Sequence, residues 1–156
     1  MLKLNQDYVA AVERILDESP YFALLGMRLT RFEPGLAVFE MTTQTKHLHH
    51  FGAAHGGCLG SLLDSATYWA VFGELDPNLS LTTAELKVKF LAPAPPGLAL
   101  KVTGKTVHLG RSLALAQARA EDAKDGRLIA FGTATLKVLP SKPLGQLAQL
   151  SPKFVD

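Results

Sequence analysis

The sequence predicts an α+β domain in which an antiparallel sheet of about six strands wraps around one central helix. Two observations lead to this prediction. Residues 55–73 are mostly apolar with helical periodicity, and strand-like segments lie on both sides of them, two before and four after. The chain has 156 residues, 47% of them hydrophobic, which suffices for one substantial core. No internal repeat or linker divides it, so residues 1–156 are predicted to form a single domain.

The two ends of the chain are predicted to lie outside the central layers. A helix is expected within residues 1–20, because Asn5 is a typical N-cap residue and Pro20 prevents the helix from continuing. Residues 140–156 contain several prolines and have weak periodicity. They are predicted to form a tail.

Six segments have the pattern of strands. They are residues 27–32, 36–43, 86–90, 98–108, 112–120 and 128–139. The first two are joined by Glu33-Pro34-Gly35, which favours a hairpin turn. In the fifth, alanine recurs at every second position from Ala114 to Ala120, so one face of that strand can be approached closely.

The central helix is apolar on two faces. One is formed by Leu59, Leu62, Leu63, Ala66 and Ala70, and the other by Tyr68, Val71 and Phe72. Such a helix needs a second cover besides the sheet, and a second copy of the chain is the simplest one. A homodimer is therefore predicted.

Asp64 is the only charged residue of this helix, about two turns from its start. A buried carboxylate is costly unless it is paired, hydrogen-bonded, neutralised or used, so either a structural aspartate or a catalytic one is open at this point. Gly56 and Gly57 leave the first helical N–H groups uncovered, and the helix dipole adds positive potential there. A base and an oxyanion-binding site are thus predicted on one helix.

Charge and hydropathy exclude several kinds of partner. A net charge of +2 and a pI near 8.7 are too mild to indicate nucleic acid. No apolar run is long enough for a membrane span, and the first eight residues lack the apolar centre of a signal peptide. We therefore expect a cytoplasmic protein without nucleic-acid or membrane partners. The single cysteine, Cys58, is interpreted as a buried, inert thiol.

The sequence His55-Gly56-Gly57, followed by Leu62-Leu63-Asp64-Ser65-Ala66, resembles the motif of hot-dog fold thioesterases of the phenylacetate-pathway and acyl-CoA type. The segments that support this resemblance are Leu25-Gly26, Glu33-Pro34-Gly35, the strand at residues 86–93 and the turn at residues 108–113. The resemblance covers about residues 22–139 and implies the hot-dog fold.

The resemblance also implies hydrolysis of an acyl-CoA thioester to a free acid and CoA, without a cofactor. Asp64 matches the catalytic carboxylate of the family and would act as general base or as nucleophile. The backbone N–H of Gly56, from the partner subunit, would hold the thioester oxygen. Thr83, or its neighbour Thr82, would orient the attacking water. Family members also associate as dimers of dimers, which implies a homotetramer.

The chain departs from that family at His49, where members commonly carry Asn or Gln. A neutral imidazole could donate a hydrogen bond in their place, whereas an imidazolium would pair with Asp64 and lower its basicity. His55 is interpreted as a residue that orients the glycine turn, with a role as base as the alternative. These histidines have no Cys or acidic neighbours at a zinc spacing, so no metal site is predicted.

Substrate contacts are predicted at five residues: Gly57, Tyr68, Phe72, Arg111 and Ser112. The two aromatic rings could line an acyl pocket, and Arg111 lies in a glycine turn from which it could meet the phosphates of CoA. For the two aromatic residues the alternative is packing in the core, and for Arg111 it is a solvated position on the surface.

Two other functions remain open. A hydratase or dehydratase acting on an acyl thioester would fit a partial match of His50-Phe51-Gly52 to the dehydratase motif His-Phe-Pro-Gly, although the proline is missing. A non-catalytic acyl-CoA sensor would keep the pocket, although the sequence has no attached DNA-binding segment.

Overall fold

The computed structural model describes residues 2–143 and 145–155. Its helices are α1 (Gln6–Glu18), α2 (Pro20–Leu25) and α3 (Gly56–Glu74), and its strands are β1 (Lys3–Leu4), β2 (Arg28–Glu33), β3 (Leu36–Thr42), β4 (Ser80–Phe90), β5 (Ala99–Leu109), β6 (Leu113–Asp122), β7 (Leu128–Leu139) and β8 (Phe154–Val155). Six strands form an antiparallel sheet in the order β2-β3-β5-β6-β7-β4. Helix α3 packs against all six. The predicted α+β class is confirmed.

The N-terminal region contains one helix more than the sequence pattern predicts. The Asn5 side chain accepts a hydrogen bond from the Asp7 N–H at 2.9 Å, which confirms the predicted cap of α1. Pro20 prevents α1 from continuing, but it also begins α2, because proline fits the first turn of a helix, where its missing N–H would be unpaired anyway. Helix α2 ends at Gly26, whose φ of 69° is left-handed.

The C-terminal segment, predicted as a tail, is attached to the domain. Strand β8 pairs with β1, and the Lys153 side chain is buried. Its Nζ donates to the carbonyl oxygen of Phe72 and, at 2.6 Å, to that of Leu75. Phe72 lies in the last turn of α3, where its carbonyl also accepts from the Leu75 N–H at 3.3 Å, and Leu75 is the C-cap residue of the helix. A single side chain from the C-terminal segment therefore caps the central helix.

Small residues set the distance between α3 and the sheet. Four inward-facing alanines of β6 are buried, as their spacing predicts: Ala114, Ala116, Ala118 and Ala120. Ala118 lies in register between Gly104 of β5 and Gly132 of β7. In this row across the three strands, the only side chain is therefore one methyl group. A Cβ added at Gly104 would lie 2.0 Å from the carbonyl oxygen of Ala66 in α3. The helix backbone thus rests directly on β5.

The two predicted faces of α3 are only partly as expected. The stripe from Leu59 to Ala70 is buried against the sheet, as predicted, but Val71 and Phe72 are also buried within the protomer, so they need no partner. The side of α3 that stays open runs along Gly57, Gly60, Ser61, Asp64, Ser65 and Tyr68. The residues available to a second copy are therefore small and polar, with one aromatic ring at the end.

Replacing Gly104 by alanine tests the contact between helix and sheet. Because the added methyl group would meet helix backbone rather than a movable side chain, we expect Gly104→Ala to lower the free energy of unfolding by about 3 kcal/mol or more. Gly132→Ala is the matched control, since its Cβ would lie 3.4 Å from Leu63 Cβ, an ordinary contact. Equal stability of the two variants in urea unfolding would contradict the close packing.

Lys153 makes stability depend on pH. Burial lowers its pKa from 10.5 to about 7, although the charges of Asp76 and Glu74 partly oppose the shift. Between pH 7 and 10 the unfolded chain therefore binds more protons at this residue than the folded one, so stability rises with pH. We expect this rise, on the order of a few kcal/mol, to disappear in Lys153→Met.

The control for this measurement is Lys124→Met, which removes an exposed lysine in the turn after β6. Its unfolding free energy should rise between pH 7 and 10 in parallel with that of the unmodified protein. A Lys153→Met variant that keeps the same rise would show that the buried amine does not cause it.

Candidate active site

Asp64 lies on the open side of α3 and is half-buried. Its Oδ1 has no contact with solvent and no hydrogen-bond donor among the described residues. A structural carboxylate is normally satisfied by donors around it, because an unpaired buried oxygen costs free energy. This oxygen therefore lacks the donors expected around a purely structural carboxylate.

A depression of about 380 Å³ surrounds Asp64. The residues that line it with Asp64 are Tyr21, Phe22, Ser61, Ser65, Tyr68 and Trp69. Burial, with the charge of Asp64 as a smaller cause, raises the pKa of Tyr68, so its phenol is neutral at physiological pH. The depression thus combines aromatic walls with one carboxylate.

Tyr68 and Phe72, both predicted to bind substrate, have different positions. Tyr68 lines the Asp64 depression, whereas Phe72 is 1% exposed and stacks behind Tyr68, with ring centroids 5.8 Å apart. The Lys153 ammonium covers the Phe72 ring, 4.4 Å from its centroid. Within the protomer, Phe72 supports the wall of the depression from the core.

The N-terminus of α3 has one free amide. The Gly57 N–H donates to His55 Nδ1 at 2.9 Å, so His55 is the N-cap of the helix, in line with its interpretation as an orienting residue. The Gly56 N–H has no acceptor among the described residues. The Phe90 ring covers Gly56, with its end atom 2.9 Å from where a Cβ would be.

His49 lies beside Gly56. Both line a second depression of about 540 Å³, together with Leu59, Phe90 and residues 91–94. His49 Nδ1 accepts a hydrogen bond from the Phe51 N–H at 3.0 Å, so in the neutral ring the proton is assigned to Nε2. The imidazole can therefore donate one hydrogen bond, the capacity required of a substitute for Asn or Gln.

The two parts of the predicted site are separated within one protomer. Gly56 and Asp64 lie eight residues apart on the same helix, which places them about 12 Å apart along its axis. They line different depressions. A Gly56 N–H and an Asp64 carboxylate can meet around one reacting carbon only if they come from two copies of the chain.

Three predicted residues lie outside both depressions. Thr83 is half-buried on β4, just before a bulge between Thr83 and Glu85, while Thr82 is exposed. Arg111 and Ser112 are exposed in the turn between β5 and β6. None of the three lines the depression around Asp64 or the one around Gly56.

The sequence patterns did not predict the contributions of Tyr21, Phe22 and Phe90 to these depressions. The first two come from α2, whose six residues are too few for a periodic signal. The only available hint was a pair of aromatic residues close to a helix-ending glycine.

Two further findings concern metal binding and membrane-spanning helices. Among residues 2–143 and 145–155, no three His, Cys, Asp or Glu side chains are grouped as a metal ion would require. In the same part of the chain, no helix has both the length and the hydrophobicity needed to cross a membrane.

Residues 51–129 match the family model of the thioesterase superfamily. The "Putative esterase" of Caenorhabditis elegans is 34% identical over 106 residues, which span 68% of this chain and 62% of the nematode protein. The "Putative esterase" of Pseudomonas aeruginosa is 32% identical, over 72% of this chain and 83% of its own. Acyl-coenzyme A thioesterase 13 of Mus musculus is 25% identical, with 80% and 89% covered.

Solved structures show the same fold. A thioesterase family protein from Silicibacter pomeroyi is 33% identical, with a TM-score of 0.76 over 85% of this chain and 98% of its own. The Escherichia coli PaaI protein superposes with a TM-score of 0.79 at 20% identity, covering 89% and 98%. A Streptococcus mutans protein bound to acetyl CoA has a TM-score of 0.69 at 21% identity, covering 75% and 91%. The predicted hot-dog fold is confirmed, and the chain belongs to the thioesterase superfamily.

Proposed function

We propose that this protein hydrolyses an acyl-CoA thioester to a free acid and CoA, in sites formed between two copies of the chain. Asp64 of one copy and the Gly56 N–H of the other would act on the same thioester. The observation that carries the proposal is the separation of these two groups on one helix, each with an unsatisfied hydrogen-bonding atom.

The named relatives support this choice of substrate. One is an acyl-coenzyme A thioesterase, and another superfamily structure holds acetyl CoA. Arg111 stays a proposed contact of the CoA phosphates and Ser112 a proposed substrate contact, and no cofactor is required by the reaction.

In the proposed reaction, Asp64 acts as general base or as nucleophile. As a base it takes a proton from water, whose oxygen attacks the thioester carbonyl carbon, and the C–S bond then breaks to release CoA and the acid. As a nucleophile its oxygen attacks the same carbon, CoA leaves, and water hydrolyses the resulting anhydride. Thr83 from β4 would orient the water.

The negative charge that develops on the carbonyl oxygen needs hydrogen-bond donors. The Gly56 N–H is free and lies at the positive end of α3. His49 Nε2–H would be the second donor, provided that the ring is neutral, because a cationic ring would attract Asp64 and weaken it as a base. The need for a neutral side chain is specific to His49, because the amide side chains usual in the family carry no charge.

The surface for the second copy is proposed to be the open side of α3 with the neighbouring edge of the sheet. Strand β4 has 11 residues and, among the residues that the structure describes, pairs only with β7, so its outer edge has unpaired backbone groups. Pairing of two copies there would bring each α3 beside its equivalent. A dimer of dimers and a cytoplasmic location stay predictions.

Replacing Asp64 tests the assigned carboxylate. Asp64→Asn keeps the size of the side chain but removes its negative charge, so we expect kcat for CoA release to fall by about 10²–10⁴-fold while acyl-CoA binding persists. Asp7→Asn, on the exposed first turn of α1, is the control and should keep wild-type turnover. Wild-type turnover in Asp64→Asn would exclude the assignment.

The assay measures free thiol with aryl, short and long acyl-CoAs, and follows enoyl-CoA absorbance in parallel. Thiol release supports hydrolysis. Loss of the enoyl absorbance without thiol would support a hydratase instead, and binding without either change would support a sensor.

Gly56→Pro tests the backbone donor, because proline has no N–H and is tolerated at the first position of a helix. The extended backbone of His55, with ψ of 140°, is compatible with a following proline. Gly56→Ala is the matched control: it places the same Cβ beside Phe90 but keeps the N–H. We expect kcat to be about 10²–10³-fold lower in the proline variant than in the alanine variant.

Mixing the two inactive variants tests whether the site spans two copies. A hybrid of Gly56→Pro and Asp64→Asn has one site with both defects and one with neither. Random pairing should therefore recover about a quarter of the wild-type sites. No recovery after verified subunit exchange would contradict a shared site.

A further inference from the structure

We propose that Tyr21, on the short helix α2, determines the size of the acyl group that the site accepts. This inference rests on the proposed function, since it takes the depression around Asp64 as the acyl pocket. Tyr21 lines that depression but belongs neither to α3 nor to the sheet. It is not part of the sequence motif.

The position of the Tyr21 ring is set by a directed hydrogen bond. Tyr21 Oη and Ser61 Oγ are 2.6 Å apart, and Ser61 Oγ lies 2.9 Å from the Gly57 carbonyl oxygen. A carbonyl can only accept, so the single proton of Ser61 is used there. Tyr21 must then be the donor to Ser61. The phenol therefore ties α2 to α3 one turn before Asp64.

A second contact holds α2 in place. The Phe22 ring packs on Phe39 of β3, with centroids 5.9 Å apart, and Leu25 packs against the core. Gly26 ends the helix in the left-handed conformation. Neighbouring residues of one turn thus have different roles, since Phe22 anchors the helix while Tyr21 reaches across to Ser61.

This geometry makes Tyr21 a wall of the pocket. The reacting carbonyl carbon must lie next to Asp64, so the acyl group must extend from there between the surrounding side chains. A volume of about 380 Å³ is at the small end for ligand sites in proteins. The Tyr21 side chain is 53% exposed, more than the other large side chains of this lining. Its removal therefore enlarges the pocket without leaving a cavity in the core.

The experiment compares Tyr21→Ala with Leu24→Ala across straight-chain acyl-CoAs of increasing length. Leu24 lies on the same helix and is exposed, but it does not line the depression. We expect Tyr21→Ala to raise the ratio of kcat/KM for long over short acyl groups by about tenfold or more. Leu24→Ala should keep the wild-type ratio. Tyr21→Phe, which loses only the tie to Ser61, should give a smaller shift in the same direction.

A structural role for Tyr21 would lower kcat/KM for all substrates alike, and an unchanged ratio in Tyr21→Ala would overturn the inference. Calorimetric binding of the same acyl-CoAs to Asp64→Asn, with and without Tyr21→Ala, gives a readout that does not depend on turnover. If the wild type binds acyl-CoA without releasing thiol, the proposed function fails, but the change in chain-length preference still decides the role of Tyr21. Absence of all binding overturns both.

Discussion

The close contact between the α3 backbone and β5 is the constraint on which the rest of the structure depends. At Gly104 the sheet has no side chain, so the Ala66 carbonyl lies directly on the strand, and the flanking alanines of β6 keep the same short distance. A helix held this closely cannot rotate without collisions, since packed interiors have little free space. Its rotation decides that Asp64 faces outward rather than into the core.

Both ends of α3 are held as well, by its own N-cap and by a side chain from the C-terminal segment. The His55 imidazole accepts the Gly57 N–H at the start, and Lys153 pairs carbonyls of the last turn. In the part of the chain that the structure describes, the Gly56 N–H has no acceptor, whereas the N–H groups of the next three residues are paired.

A single helix therefore contributes two different chemical groups, separated by more than two turns. The rise of an α-helix is too large for both to reach the same atom, so the proposed reaction requires that the two groups come from two copies of the chain. The open strip of small residues between them agrees with this requirement, because it allows close approach of another surface. Asp64 lies on this strip and faces α2. The Tyr21 phenol bridges α2 and α3 beside it.

The sequence by itself determined the layers, the six strands of the main sheet apart from the first half of β4, the cap at Asn5 and the place of Asp64 and Gly56 on one helix, because periodicity and local turn chemistry act over short separations. The family followed from the same motif. The tertiary structure alone decided which side of α3 is open, that Phe72 lies behind Tyr68, and that Tyr21 and Lys153 reach α3. The contacts of Tyr21 and Lys153 join residues about 40 and 80 positions apart, and no local pattern specifies such a pairing.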